Sequence, residues 1–220
     1  MISKFITRVQ RSTKRASASM LPVALMFILM MIVLTNYMYR QQMLQYNYEN
    51  IENSLVDSLL ASSVVNLTEL VRNGDIVIDT ATSGVSTQSC FDRSYEIFRD
   101  TLKSNLHLSD VWEFDGARDF KGTLIINEFS VYNYYKIPNG FQIVRITKTE
   151  TGASSYVYPV NQRVYVYANG VNKEITQTSV YSQITFNVHL MNRIDWMESL
   201  TDAMMTGTYS LRRLVAITDR

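Results

Sequence analysis

The sequence predicts an α+β protein: a long N-terminal transmembrane and stem helix packed on an antiparallel β-sheet domain, with one further helix. Three observations predict it. Residues 16–39 carry no charge. Apolar residues then recur at steps of three and four as far as Leu59. Beyond Gly122 the chain becomes a series of alternating, tyrosine-rich runs separated by turn residues.

The first segment, 1–15, is a basic leader with Lys4, Arg8, Arg11, Lys14 and Arg15 and no acid. The first acid in the chain is Glu49, so the net charge of +1 conceals a polarised distribution. From Arg40 onward, 16 basic residues face 20 acidic ones, a net of −4. A nucleic-acid binder gathers its positive charge on a folded face. A short basic tail before an apolar helix reads instead as a topology signal, and no nucleic-acid partner is expected.

Residues 16–39 form the predicted transmembrane helix. A helix of 24 residues, at ~1.5 Å per residue, is about 36 Å long and exceeds a hydrocarbon core of ~30 Å. Leu25, Phe27, Ile28, Leu29, Ile32 and Leu34 are the side chains expected in lipid. Each favours insertion by about 0.3–0.6 kcal/mol. Pro22 is expected near the helix start, where a missing N–H costs little. The far end, LTNYMYRQQM, lacks the small residues of a secretory cleavage site, so the helix is expected to stay attached. Ala16, Ser17, Ala18 and Ser19 lie on the near side and form a candidate leader-processing patch. Tyr37, Tyr39 and Arg40 make an interfacial edge. The charge asymmetry places the N-terminus in the cytoplasm and the remainder outside: a single-pass protein of the cell membrane with the lipid bilayer as partner.

Residues 40–72 are the predicted stem. Leu44, Tyr48, Ile51, Leu55 and Leu59 fall on one helical face, followed less regularly by Val64, Leu67, Leu70 and Val71. No proline or glycine lies between Val23 and Asn73. One helix over roughly 20–72 is therefore expected, ended by Asn73 and Gly74. Its stripe from Leu44 to Leu70 is expected to cover the apolar face of the sheet.

Residues 73–220 are the predicted extracytoplasmic α+β domain with one core. DIVID, from Asp75 to Asp79, reads as a short strand, and TATSGVSTQ as a loop. SCFDRSYEIFRDTLKSNLHL is helical, with Phe91, Tyr95, Phe98 and Leu102 on one face and a cap among Ser86, Thr87 and Ser89. TLIINEFSVYNYYKI and FQIVRITKT flank Pro138, Asn139 and Gly140 as a hairpin. RVYVYA and VNKEIT flank Asn169 and Gly170 as a second hairpin, because Asn-Gly suits two positive φ values. SVYSQITFNVHL alternates, with Val180, Ile184, Phe186, Val188 and Leu190 opposite Tyr181, Gln183, Thr185, Asn187 and His189. TYSLRRLVAIT is a last strand, and RIDWMESLTDAMM a short helix or structured loop. An antiparallel meander of four to six strands results.

Chemistry is sparse. His107 and His189 are the only histidines, and neither sits in a ligand pattern. No H-E-x-x-H, G-x-S-x-G, P-loop or C-x-x-C motif occurs. Asp75 and Asp79, and the group Glu113, Asp115 and Asp119 interleaved with Arg118 and Lys121, read as solvated loops rather than a calcium site. Cys90, the single cysteine, cannot form an internal disulfide and is expected to be buried, the alternative being a crosslink to another chain. Asn66-Leu67-Thr68 matches a glycosylation sequon but falls inside the predicted helix. No cofactor, metal or small-molecule substrate is expected, and no catalytic residue is assigned. The 14 tyrosines reflect strand propensity or a contact surface.

A basic leader, a small-residue patch, an apolar helix prolonged into an amphipathic stem and an antiparallel sheet wrapped on that stem resemble the type IV pilins and pseudopilins, with the TadE-like minor pilins as the nearest branch. The layout matches along the whole chain, and motif-like features are confined to residues 1 to about 72. The resemblance implies leader removal at the patch formed by Ala16 to Ser19. It also implies partners among other pilin-like subunits or assembly-platform membrane proteins. This chain lacks two family features: a glycine before the cut, and a glutamate five residues after it. No functional residue therefore carries over. The expected role is a structural, membrane-anchored subunit of a bacterial surface appendage or secretion and assembly machine. The alternatives are an anchored extracytoplasmic binding or sensor module that never polymerises, and a membrane-tethered enzyme.

Overall fold

The computed structural model describes residues 2–78, 90–114, 120–149, 151–189 and 206–217. The chain divides into two compact units, Met1–Tyr46 and Asn47–Arg220. Among the described residues three helices run in order: α1 (Ile2–Ala61), α2 (Leu67–Asn73) and α3 (Cys90–Asn105). The described strands follow: β1 (Phe120–Ile137), β2 (Gly140–Thr149), β3 (Gly152–Val157), β4 (Tyr165–Ala168), β5 (Val171–Glu174), β6 (Ser179–His189) and β7 (Thr206–Ala216). The fold is α+β, with a long apolar N-terminal helix and an antiparallel sheet, as the sequence predicts.

The first unit is helical from Ile2. The helix start therefore differs from the expected one near residue 20, because the basic segment joins the helix rather than preceding it. Pro22 is correspondingly inside the helix, not at its start. The missing N–H leaves the carbonyl of Ala18 without its usual helical donor.

In the second unit α1 ends at Ala61 rather than continuing to residue 72. No proline or glycine breaks it; serine does. Ser58 Oγ donates to Ser54 O at 2.6 Å, Ser62 Oγ to Leu59 O at 2.8 Å and Ser63 Oγ to Leu59 O at 3.2 Å. Such side-chain bonds offer the last helical carbonyls an alternative to the next turn. Asn66 then starts α2 as its N-cap, accepting from the N–H groups of Thr68 and Glu69 at 3.0 and 3.4 Å. The sequon asparagine is thus a cap buried in the domain, not a helix-interior residue. Gly74 closes α2 in the left-handed conformation, φ 72°, as its sequence position predicts.

The five-stranded sheet has the order β3-β2-β1-β6-β7, antiparallel throughout. The first hairpin closes with Ile137 opposite Gly140. Asn161 clamps it, its side chain accepting from Phe141 N–H at 3.0 Å and donating to Asn139 O at 3.1 Å. The second hairpin forms at Asn169 and Gly170, whose φ values are 55° and 77°, as an Asn-Gly two-residue turn requires. It is a separate two-stranded sheet rather than part of the meander. Two register shifts interrupt the β1–β6 pairing, between Lys121 and Ile125 and between Ile126 and Glu128. β3 is an additional strand that the sequence does not announce.

Register assigns the faces. Phe129, Val131 and Asn133 share one face with Ile146, Val180, Ile184, Phe186 and Leu211. Helix α3 lies on this face: Phe91, Tyr95 and Phe98 place their rings 5.8, 5.5 and 4.9 Å from that of Phe129. The stem portion of α1 lies here too, with Tyr48 edge-on to Tyr209 at 6.3 Å and Glu52 paired to Arg213. Ser94 Oγ donates to Ser62 O and ties α3 to the end of α1.

The opposite face holds a second core of Tyr132, Ile143, Val164, Val166, Ala168, Ile175 and Tyr181, covered by β4 and β5. The expectation of one core is therefore corrected to a sheet covered on both sides. DIVID is corrected as well. Residues 74–78 form no strand. They are held by Asn66 N–H to Val77 O at 2.8 Å and by Asn133, whose side chain bonds both the N–H and the C=O of Ile78. Asp79, TATSGVSTQ with Ser86 and Thr87, Ser89, Asp115, Arg118, Asp119, Leu190 and the RIDWMESLTDAMM segment lie outside the described residues.

Candidate functional site: the bare helix and the buried stem

Along α1, apolar side chains meet two different surroundings. In the first unit Leu25, Phe27, Ile28, Leu29, Ile32 and Leu34 are all exposed, as are Met26, Met30, Met31 and Val33. This helix is long and apolar enough to cross a membrane, and none of its most apolar stretch is buried within the protein. A water-soluble monomer seldom exposes so continuous an apolar surface. Phe27, Ile28, Met31, Ile32, Thr35, Asn36 and Tyr39 line a shallow groove on one side. The Thr35 hydroxyl donates to Met31 O at 2.8 Å, so it meets its hydrogen-bonding need within the helix. Ala16, Ser17, Ala18 and Ser19 lie within the helical backbone of the same unit.

In the second unit the stem stripe becomes interior. Ile51, Leu55 and Leu59 are 1, 0 and 0 % exposed. Tyr48 is half-buried, and Leu44 belongs to the first unit. The stripe stops at Leu59. Leu67 and Val71, which lie beyond the break after Ala61 and in a separate helix, are exposed.

Two polar features lie on the sheet. The first is a network under the hairpin. Arg145 Nη2 donates to Glu128 Oε1 at 2.6 Å, and its guanidinium stands 5.6 Å from the Tyr132 ring. Ser130 Oγ donates to the same carboxylate oxygen at 2.5 Å and lies 2.8 Å from Thr147 Oγ1. Burial pushes the Tyr132 phenol well above its ordinary value, with Arg145 opposing in part. Burial raises Tyr181 as well. The second feature is a cleft of about 330 Å³ beside β7, lined by Tyr48, Tyr167, Gly170, Ser210, Leu211, Arg212 and Arg213. Arg213 is held by Glu52 at 2.5 Å, and the Arg212 guanidinium sits 5.8 Å from the Tyr167 ring centroid. Sequence reasoning passes over both. The network is brought together by register across strands and the cleft by a helix, a hairpin and β7, and no linear motif marks either.

Among the described residues no group of three histidine, cysteine, aspartate or glutamate side chains is placed to hold a metal. Asp75 is buried and accepts from Lys136 N–H at 3.5 Å, so it serves the backbone. His107 follows α3 with φ 51°, donating its N–H to Ser104 O. Cys90 opens α3 and is half-buried rather than fully buried. Tyrosine divides by exposure: Tyr132 and Tyr181 are buried, whereas Tyr156, Tyr165 and Tyr167 are more than half exposed.

Comparison with protein families, with characterised proteins and with solved structures gives no match to this chain. Functional inference therefore rests on its own residues.

Proposed function

We propose that the protein is a structural, membrane-anchored, pilin-like subunit of a bacterial surface appendage or secretion and assembly machine. The N-terminus lies in the cytoplasm, residues 16–39 cross the bilayer, and the α+β domain is extracytoplasmic. Subunits are stored in the membrane and assemble through helix packing with other pilin-like chains or assembly-platform proteins. The observation that carries the proposal is the bare apolar surface between Met20 and Tyr39. It follows a leader of five basic residues without an acid and precedes a stem whose stripe is buried in a sheet domain.

The test is the intact mass of the protein extracted from membranes. Loss of roughly the first 15–20 residues, at the small-residue patch, supports the pilin-like role. Retention of Met1 refutes it and leaves the second reading, an anchored binding or sensor module that does not polymerise. The missing glycine and glutamate around the patch favour that second reading. Orientation is checked separately, by protease added to spheroplasts. Digestion of the sheet domain is expected, and its survival beside a digested exterior control refutes the topology.

A further inference from the structure

The five-stranded sheet has two edges, and they are built differently. At β7 the tip of the second hairpin reaches the edge: Asn169 N–H donates to Arg212 O at 3.0 Å. The charges of Arg212 and Arg213 also stand along that strand. At β3, among the described residues, no charge, proline, bulge or covering hydrogen bond protects the edge. Its six residues, GASSYV, include no charge and no proline, and every one is exposed. Its ladder with β2 runs without a bulge from Thr149–Gly152 to Val144–Val157.

The direction of the β3 backbone follows from one bond. Tyr158 N–H donates to Ile143 O at 2.9 Å, toward β2. Backbone groups alternate along a strand, so those of Tyr156, Ser154 and Gly152 also point toward β2. Ala153, Ser155 and Val157 therefore turn their N–H and C=O groups to the open side. Among the described residues no hydrogen bond reaches them there.

We propose that β3 pairs antiparallel with β3 of a second copy of this chain, about a two-fold axis at Ser155, joining two five-stranded sheets into one. In this register Ser155 faces Ser155 of the second copy, and Ala153 faces Val157. The three outward residues of each strand exchange a ladder of six hydrogen bonds. The second copy is singled out by self-complementarity. Residues 152–159 carry no charge, so the antiparallel pair sets no like charges opposite each other. On one face small Ala153 lies beside Val157. On the other, Tyr156 lies opposite Ser154, a large ring over a small side chain. Tyr156 is 58 % exposed, with one edge against Tyr158 at 4.7 Å, which leaves its outer surface for that neighbour. A charged foreign strand would find no complementary charge here. A two-fold contact of this kind is closed and isologous. The inference stands apart from the pilin-like role, since neither leader mass nor topology bears on it.

The test uses the full chain in nanodiscs or micelles, with Cys90→Ala and Ser155→Cys carrying a nitroxide label. Pairing brings the two Cα atoms to about 5.5 Å, so strong dipolar broadening is expected. Dilution with unlabelled chain should remove it. Val157→Pro in the same background deletes an outward N–H while sparing the β2 ladder. It should reduce the broadening several-fold with the near-ultraviolet circular dichroism unchanged. Absence of broadening in the first variant overturns the proposal. So does broadening that persists in Val157→Pro, or in-cell crosslinking of residue 155 to a different protein.

Discussion

Leu55→Ala is the sharpest probe of the stem. Leu55 is 0 % exposed in the layer between α1 and the sheet. Burying a leucine is worth roughly 1.5–3 kcal/mol, and truncation to alanine adds a cavity term, for a total of about 2–5 kcal/mol. Alanine's higher helix propensity returns only a few tenths of a kcal/mol. A net loss of ~3 kcal/mol is expected. For a unit of the size of Asn47–Arg220, each kcal/mol moves the midpoint by about 2–4 °C, so the Tm should fall by about 6–12 °C. Leu60→Ala is the matched control: same helix, same chemistry, but 53 % exposed, with an expected effect within ~0.5 kcal/mol. Thermal unfolding of the full chain in micelles, followed by near-ultraviolet circular dichroism, reads both. Equal shifts in the two variants would refute the claim that one stripe of this helix is the domain's interior.

Two further predictions follow from buried polar groups. Asn133→Ala leaves the N–H and C=O of Ile78, both now bonded to the Asn133 side chain, without partners at a buried position. The cost is about 1–3 kcal/mol per group, and hydrogen exchange at the Ile78 amide should accelerate more than at the neighbouring strands. Asn133→Asp keeps the acceptor but loses the donor and should be no less destabilising. On the other face, Tyr132 and Tyr181 hold their protons above the ordinary phenol value of 10.0 because they are buried. Above about pH 10 the unfolded chain releases these protons while the folded one keeps them. Stability should therefore be complete below pH 10 and decline as pH rises beyond it. Tyr132→Phe should flatten that decline in urea midpoints measured between pH 8 and 11.5.

What was legible in the sequence is what local chemistry dictates. Asn169 and Gly170 adopt the two positive φ values that define their turn, and neither needs a distant partner to do so. The apolar helix is equally local, since composition alone makes it unfit for water. The break after Ala61 was hidden because serine hydroxyls, not proline or glycine, divert the carbonyls. β3 was hidden because GASSYV lies exposed on a sheet edge and has no apolar alternation to display. The second core was hidden for a different reason. On the sheet its face is Tyr132 and Tyr181 with Ile143, flanked by Ser130, Thr147 and Arg145, a mostly polar set that reads as a solvent face until a hairpin is known to cover it. The Arg145 network is assembled by cross-strand register, and the cleft beside β7 by the meeting of α1, the second hairpin and β7.

The distribution of tyrosine now has a physical explanation. In β4 the burial alternates, with Val166 and Ala168 turned into the second core and Tyr165 and Tyr167 turned away. Tyr165 and Tyr167 are thus the outward half of a period-two pattern, whereas Tyr156 shares the sheet face of Tyr132 and is exposed because β3 is the edge strand. Strand propensity accounts for tyrosine being in these strands. It does not account for large rings half exposed to water, where Arg212 beside Tyr167 and Tyr158 beside Tyr156 cover only part of each ring. The buried tyrosines do have an internal use, since Tyr132 and Tyr181 fill the space beneath the hairpin. Propensity and internal packing together therefore explain the inner set. The outer set, Tyr165 and Tyr167 on β4 near β7 and Tyr156 on the uncharged opposite edge at β3, is where contact with another chain is to be sought.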